Sequence, residues 1–127
     1  MKRALPIRVI HIEAVAPSLV RHAQMGDWWY ADEGQRLHIR VVDDVAEDVQ
    51  FLVALHELVE VYLCRQRGIS QVCVDAFDAA HAAEHANDDE EPGDDPRAPY
   101  RREHRFACLI EHLVAHELGL TDYGEVR

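Results

Sequence analysis

One predicted helix carries an imidazole and two carboxylates at spacings that suit metal chemistry, in the pentapeptide His56-Glu57-Leu58-Val59-Glu60. The i, i+4 spacing places His56 and Glu60 on the same helix face, one turn apart. Zinc accepts both imidazole nitrogen and carboxylate oxygen, so this pair can hold one ion. Glu57 lies about 100° round the helix, where it can act as general base on a metal-bound water. This HExxE spacing predicts a metal-dependent hydrolase with Glu57 as the catalytic residue.

The surroundings of the pentapeptide are apolar in almost every direction. The helix that contains it is predicted to run from a cap at Asp44 to about Arg67, with Gly68 just beyond its end. Polar groups inside a buried helix must be hydrogen-bonded, paired or metal-bound. The competing interpretation is a solvated face that happens to carry one His and two Glu. The apolar neighbours favour the metal or catalytic role.

A third metal ligand is expected from the last predicted helix, over residues 99–118. Its angular pattern places Glu103 on the apolar face and His104 near the margin of that face. Either side chain could complete a site with His56 and Glu60, and the sequence leaves the choice open. The alternative role for Glu103 is a first-turn carboxylate favoured by the helix dipole. The alternative for His104 is simple exposure.

Other polar residues carry weaker signals. Glu111 lies near the margin of the apolar face of the last helix, whereas His112 and His116 fall on its polar side. His81 and His85 are also four residues apart and could bind a metal. Their alanine and glutamate neighbours favour a solvated helix face instead.

Strands are predicted in the first third of the chain. Residues 7–12 alternate in the way of a half-buried strand, and the runs 27–30 and 37–42 flank a turn that contains Gly34. The last two runs are typical of a β-hairpin. The sequence therefore predicts a short N-terminal antiparallel β-sheet or hairpin.

Three helices are predicted after the strands. The middle one begins at a Ser70 cap and ends near His85, and the acidic segment 87–97 follows as a solvated loop by its Pro and Gly content. The chain length suits a single domain over residues 1–127. Its β-rich part covers 1–43 and its helical part covers 44–127, which together define an α+β fold.

The composition excludes some classes of partner. The chain has 127 residues, with 24 Asp and Glu against 13 Lys and Arg, and a formal net charge of −11. That excess argues against nucleic acid or an anionic membrane surface as a partner. Six of the acids lie between residues 88 and 95, so much of the charge belongs to one loop.

The location expected from the sequence is the cytoplasm. No apolar run approaches the ~18 residues of a membrane helix, and no long apolar stretch follows the basic start at residues 1–6, so no signal peptide is predicted. Cys64, Cys73 and Cys108 are odd in number and lack CxxC spacing. A disulfide framework is therefore not expected, and a reducing compartment is favoured.

Four sequence blocks resemble a family of small proteins from tailed bacteriophages and prophages. The blocks are His56–Glu60, Arg67–Ile69, Val74–Asp78 and Glu91–His104. The resemblance covers most of the chain from Gly26 onward and implies a phage or prophage source, with a bacterial host cytoplasm as the location. It implies no particular activity.

The HExxE block also resembles the active helix of the zincin metallopeptidases. That resemblance covers one helix, and it implies a zincin-like fold, a zinc ion and a peptide or amide substrate. A protein partner could pair an edge strand with the hairpin. The chain departs from the zincin pattern at Glu60, where His is usual. The additional carboxylate also suits Mn²⁺ or Fe²⁺.

Two other functions remain open at this point. Glu57-x-x-Glu60 is followed, after fourteen residues, by Asp75-x-x-Asp78, which resembles the Mg²⁺ site of the all-α nucleotide pyrophosphohydrolases. That family has Glu where Asp75 stands and lacks the strands. The third possibility is a non-enzymatic phage accessory protein that binds a host protein. The polar helix residues would then form a structural metal site or a hydrogen-bond network.

Overall fold

The computed structural model describes residues 5–88 and 90–123. The basic start at residues 1–4 and Asp89 of the acidic loop lie outside the described residues. Six elements follow one another along the chain: β1 Val9–Val15, β2 Gly26–Ala31, β3 Arg36–Val42, α1 Glu47–Gln66, α2 Gln71–Glu84 and α3 Arg101–Glu117. The predicted α+β arrangement, a small sheet followed by three helices, is confirmed. Of the described helices, none is both long and apolar enough to cross a bilayer.

The sheet has the strand order β1-β3-β2. β2 pairs antiparallel with β3, which confirms the predicted hairpin. β1 pairs parallel with β3, with Ile12 opposite Ile39, so the sheet is mixed rather than wholly antiparallel as predicted. Alternation of side chains predicts which face of a strand is buried, but it does not fix the neighbour or the direction of pairing. The difference therefore arises from the connection between β1 and β2, which takes the chain past the position of β3.

The core lies between the sheet and α1. Leu37 and Ile39 on the central strand are fully buried and belong to one apolar cluster with Val53 and Val61 of α1. This packing uses the strongly apolar character of α1 that the sequence indicates. The same packing fixes the helix against the sheet and leaves its remaining sides for α3 and for a cavity.

The helix ends follow the predicted signals in α2 but not at the start of α1. The Ser70 hydroxyl accepts a hydrogen bond from the Cys73 amide at 3.1 Å, as predicted for an N-cap. The predicted cap at Asp44 is wrong, because α1 begins after Ala46 and no side chain caps it. The side-chain amide of Gln50 instead donates a hydrogen bond to the backbone carbonyl of Val45. This bond holds the segment that enters the helix.

The buried face of the last helix is shifted from its predicted apolar face towards the margin that carries His104 and Glu111. Phe106, Leu109 and Leu113 are 48%, 55% and 57% exposed. The buried residues of α3 are instead a mixture of polar and small side chains: Glu103, His104, Ala107, Glu111 and Ala115. Polar side chains on α1 meet this face, and hydrogen bonds between the two helices add to the apolar cluster that contains Leu52 and Ala115.

Candidate metal centre

Helices α1 and α3 pack against each other through polar residues that are almost completely buried. His56 and Glu60 come from α1, and His104 and Glu111 come from α3. Their exposed fractions are 1%, 5%, 4% and 0%. Buried imidazoles and carboxylates require partners, and each of these side chains has at least one partner inside the group.

Three donor atoms of this group form a small triangle. Nε2 of His56 lies 2.9 Å from Oε2 of Glu60. Nδ1 of His104 lies 3.0 Å from the same oxygen and 3.2 Å from Nε2 of His56. A tetrahedral zinc ion with bonds of ~2.0–2.2 Å requires donor atoms about 3.3 Å apart. The triangle therefore fits zinc after an outward movement of a few tenths of an ångström, and its donor set of two imidazoles and one carboxylate suits that ion.

A second carboxylate supports the triangle from behind. Oε1 of Glu111 lies 2.8 Å from Nδ1 of His56, on the opposite side of the ring from Glu60. The Tyr123 hydroxyl donates to the other oxygen of Glu111. A carboxylate behind a ligating imidazole fixes its orientation and raises its basicity.

Glu111 is the main site residue that the sequence does not predict, since its place near the margin of the apolar face indicates no role. The available signal was its spacing of seven residues from His104, which places both side chains on one face of α3, two turns apart. That spacing becomes informative only when the inward face of the helix is known.

The structure brings His104 and not Glu103 to the triangle. Glu103 is buried, but its carboxylate accepts a hydrogen bond from Nη1 of Arg67 at 2.7 Å. Successive helical residues point about 100° apart, so His104 and Glu103 reach different neighbours. Of the two predicted third ligands, His104 therefore fits the site, and Glu103 serves an ion pair that connects the end of α1 to α3.

Cys108 forms a different donor set with the two ring nitrogens of His56 and His104 that lie outside the triangle. Its Sγ lies 3.5 Å from Nε2 of His104 and 3.8 Å from Nδ1 of His56. Burial favours the neutral thiol, but hydrogen bonds with the two imidazoles outweigh it and lower the pKa of Cys108 to about 7. The sequence predicts no metal-binding role for this cysteine. Its position four residues after His104 was the available signal.

A cavity of about 700 Å³ opens beside the triangle. His56, Glu57, Glu60 and His104 line it, whereas Cys108 lines a separate depression on the other side of α3. The donor set that contains Glu60 is therefore the one that a molecule in the cavity can approach. This difference in access favours Glu60 over Cys108 as the third ligand.

Glu57 lies on the wall of the same cavity, against the start of β2. The exposed fraction of Glu57 is 8%. A Cβ atom added to Gly26 would come within 2.8 Å of both Cγ and Oε1 of Glu57, so a side chain at position 26 would displace this carboxylate. The glycine thus provides the space that Glu57 occupies beside the triangle.

The surrounding acids favour the protonated forms of the two imidazoles. Burial opposes a charge on His56, but hydrogen bonds with Cys108, Glu111 and Glu60 outweigh it and raise the pKa of the imidazole far above its usual range. The pKa of His104 is raised for similar reasons. Burial likewise opposes a charge on Glu60, but hydrogen bonds with His104 and His56 hold its pKa below the usual range. A cation that binds here therefore displaces protons from the imidazoles.

The acidic loop packs against the site, contrary to the prediction of a solvated segment. Pro92 and Gly93 are buried. A Cβ atom on Gly93 would lie 2.3 Å from Cγ of His104, so the loop backbone packs closely against that ring. Nε2 of His104 lies 3.3 Å from a carboxylate oxygen of Glu91 and 3.2 Å from one of Asp94. The negative charge of the loop is thus partly directed at the histidine instead of at solvent.

The second acidic pair also lines the cavity. Asp75 and Asp78 on α2 border the space that Glu57 and Glu60 border. Asp75 is paired with Arg21 at 3.2 Å. Asp78 accepts a hydrogen bond from the Tyr100 hydroxyl, and burial raises the pKa of Asp78 to about 7. Both carboxylates therefore already have partners other than the first acidic pair.

Comparison of the chain with protein-family models, with curated proteins and with solved structures gives no match. Function is therefore inferred from the geometry and chemistry of the site itself.

Proposed function

We propose that the protein is a metal-dependent hydrolase, with zinc held by His56, Glu60 and His104. The observation that carries the proposal is the triangle of donor atoms 2.9–3.2 Å apart, set in the wall of a cavity and supported by a buried carboxylate. Three protein ligands that leave one position open are typical of catalytic zinc sites. Zinc in such a site lowers the pKa of water and polarises a carbonyl group.

The chain's own residues supply the remaining functions. Glu57 borders the cavity beside the triangle and is the general base that accepts a proton from water. Glu111 keeps His56 oriented through Nδ1. The loop at Gly93 limits the movement of the His104 ring. The two helices thus present one base and three ligands to a common space.

The proposed substrate is a peptide or another amide. β2 borders the cavity, but its outward backbone groups are already occupied at two residues. The Trp28 carbonyl accepts from Arg21 at 3.1 Å, and the Tyr30 amide donates to Gln71 at 2.9 Å. A substrate strand therefore lacks two of the backbone partners that it would need along the second half of β2. We place the amide near Gly26, at the end of the strand closest to Glu57.

The decisive experiment combines metal analysis with Glu57→Gln. Purified protein should hold one zinc ion in the triangle, and hydrolysis of a mixed peptide library should require it. Glu57→Gln should retain that ion and lose turnover, because the amide cannot accept the proton. Glu47→Gln, an exposed change on the same helix, is the matched control and should retain both. Equal turnover in Glu57→Gln and the wild type would contradict the proposal.

A second candidate function is Mg²⁺-dependent hydrolysis of nucleoside triphosphates. It is favoured by one observation: both acidic pairs, Glu57 with Glu60 and Asp75 with Asp78, line one cavity. The partners that Arg21 and Tyr100 already provide speak against it. Release of pyrophosphate that requires Mg²⁺ and is lost in Asp75→Asn would establish this alternative.

The non-enzymatic alternative makes a different prediction. If the site serves only structure, zinc removal should lower the thermal unfolding temperature, and no peptide or nucleotide should be turned over. Glu57→Gln should then leave binding to a host protein unchanged. A phage or prophage source and a cytoplasmic location belong to the same proposal, and they rest on the sequence resemblance.

A further inference from the structure

A second group of histidines and carboxylates lies where the end of α2 meets the acidic loop. It consists of His81, His85, Glu90 and Asp95, and each residue offers one ligand atom within 4.8 Å of the others. None of these residues belongs to the triangle. The group borders the same cavity through His81, His85 and Glu90.

His81 is the residue that requires an explanation. Its side chain is 2% exposed, and among the described residues its Nε2 has no hydrogen-bond partner. A carboxylate oxygen of Glu90 is 3.9 Å away. A buried polar atom without a hydrogen-bond partner is unfavourable, because it has lost its interaction with water. A ligand between the imidazole and the carboxylate would remove that cost.

The two imidazoles lie unusually close together. The rings of His81 and His85 are stacked with their centroids 4.0 Å apart and their planes at 19°. Two protonated rings at this separation would repel each other. Because a metal binds in the plane of each imidazole, the rings must rotate about their side-chain bonds to share a divalent cation, which would then replace their protons.

Carboxylates complete the group from the loop. Glu90 also approaches His85, with 3.5 Å between Oε2 and Nδ1. Asp95 is buried, and Arg97 holds its carboxylate in place through the backbone amide and the guanidinium. A fixed carboxylate beside two i, i+4 histidines is a donor set that zinc accepts.

We propose that His81, His85, Glu90 and Asp95 form a second zinc-binding site. A metal here joins α2 to the acidic loop, and the loop continues to Gly93, which packs on His104. The second site therefore anchors the segment that covers one ligand of the first. Its residues are separate from the triangle, so the inference does not depend on the proposed function.

Zinc stoichiometry of the full chain tests the inference. Apo-protein is titrated with Zn²⁺ by calorimetry, and the bound metal is counted by mass spectrometry after gel filtration. The wild type should bind two ions. His81→Asn and His56→Asn should each bind one, and His116→Asn, an exposed change on α3, should bind two.

Glu90→Gln keeps the test valid if His81→Asn fails to fold. The Glu90 side chain is 42% exposed. Its substitution should weaken binding of the second ion by at least about tenfold, which is the smallest effect expected even for an outer-shell partner. Circular dichroism establishes that each variant is folded.

The outcomes separate the two proposals. One ion in the wild type, lost in His56→Asn and kept in both His81→Asn and Glu90→Gln, overturns the second site and leaves the first. One ion lost in His81→Asn and kept in His56→Asn supports the second site and overturns the first. Equal stoichiometry and affinity in the wild type, His81→Asn and Glu90→Gln overturns the inference.

Discussion

Substitution of Glu111 tests the design of the metal centre most sharply. The side chain is fully buried, and its Oε1 lies 2.8 Å from Nδ1 of His56. Glu111→Gln preserves the shape and removes one negative charge. The amide oxygen can accept from the imidazole, and the amide nitrogen can donate to the Tyr123 hydroxyl oxygen. The substitution therefore isolates the electrostatic part of the support.

The expected magnitude follows from these contacts. Loss of an outer-shell partner weakens metal binding by ~10–100-fold, which corresponds to about 1.4–2.8 kcal/mol. Because Gln retains hydrogen bonds to both neighbours, we expect about a tenfold increase in the Kd for zinc, at the low end of that range. Glu111→Leu removes the hydrogen bonds as well, and its Kd should rise close to 100-fold.

Calorimetric titration with Zn²⁺ at neutral pH, with a competing chelator for tight binding, measures these changes. Glu117→Gln is the matched control, because it removes an exposed carboxylate from the same helix, and its Kd should equal that of the wild type. If Glu111→Gln is folded and binds zinc as tightly as the wild type, Glu111 does not orient His56, and the use of Nε2 as the ligand atom loses its support.

Three further predictions concern the same site. Zinc affinity should rise with pH, by up to about 100-fold per unit if two imidazoles release protons. The folding stability of the protein without metal should change in the opposite direction, because the pKa of His56 is raised in the folded state. The stability that the protonated imidazole contributes is complete below pH ~6.5 and decreases as pH rises towards the folded-state pKa. Calorimetry in buffers of different ionisation enthalpy counts the protons, and no release would contradict the assignment of His56 and His104 as ligands. Gly26→Ala should displace Glu57, and it should lower kcat more than zinc affinity. It should also destabilise the fold by about 1–3 kcal/mol, as measured by urea unfolding. An unchanged kcat would contradict the expected displacement of Glu57. Cys108→Ser should retain zinc affinity, and a loss of binding would favour the sulfur-containing donor set.

The local patterns of the sequence predict the elements and half of the site. His56, Glu57 and Glu60 belong to one helix, so their spacing determines their mutual geometry wherever that helix packs. Ser70 identifies the start of α2 for the same reason, since a cap involves only neighbouring residues. Features that depend on one stretch of chain were therefore predictable.

Features that depend on two distant segments could not be predicted from local patterns. The choice between Glu103 and His104 requires the orientation of α3 against α1, and Glu111 gains a role only after that orientation is known. The pairing direction of β1 is likewise a property of the connection and not of the strand. The acidic loop appeared solvated because its composition does not reveal that histidines lie beneath it.

The shifted burial of α3 affects its rotational register. The helix has an exposed apolar side with Phe106 and Leu109, and a buried polar side whose acids and imidazoles pair with α1. Hydrogen bonds select the second arrangement. Removing His104 and Glu111 together would weaken that selection and favour a register with more of the apolar side turned inward. A double substitution would then report on a rearranged helix pair, so the two residues are best studied one at a time.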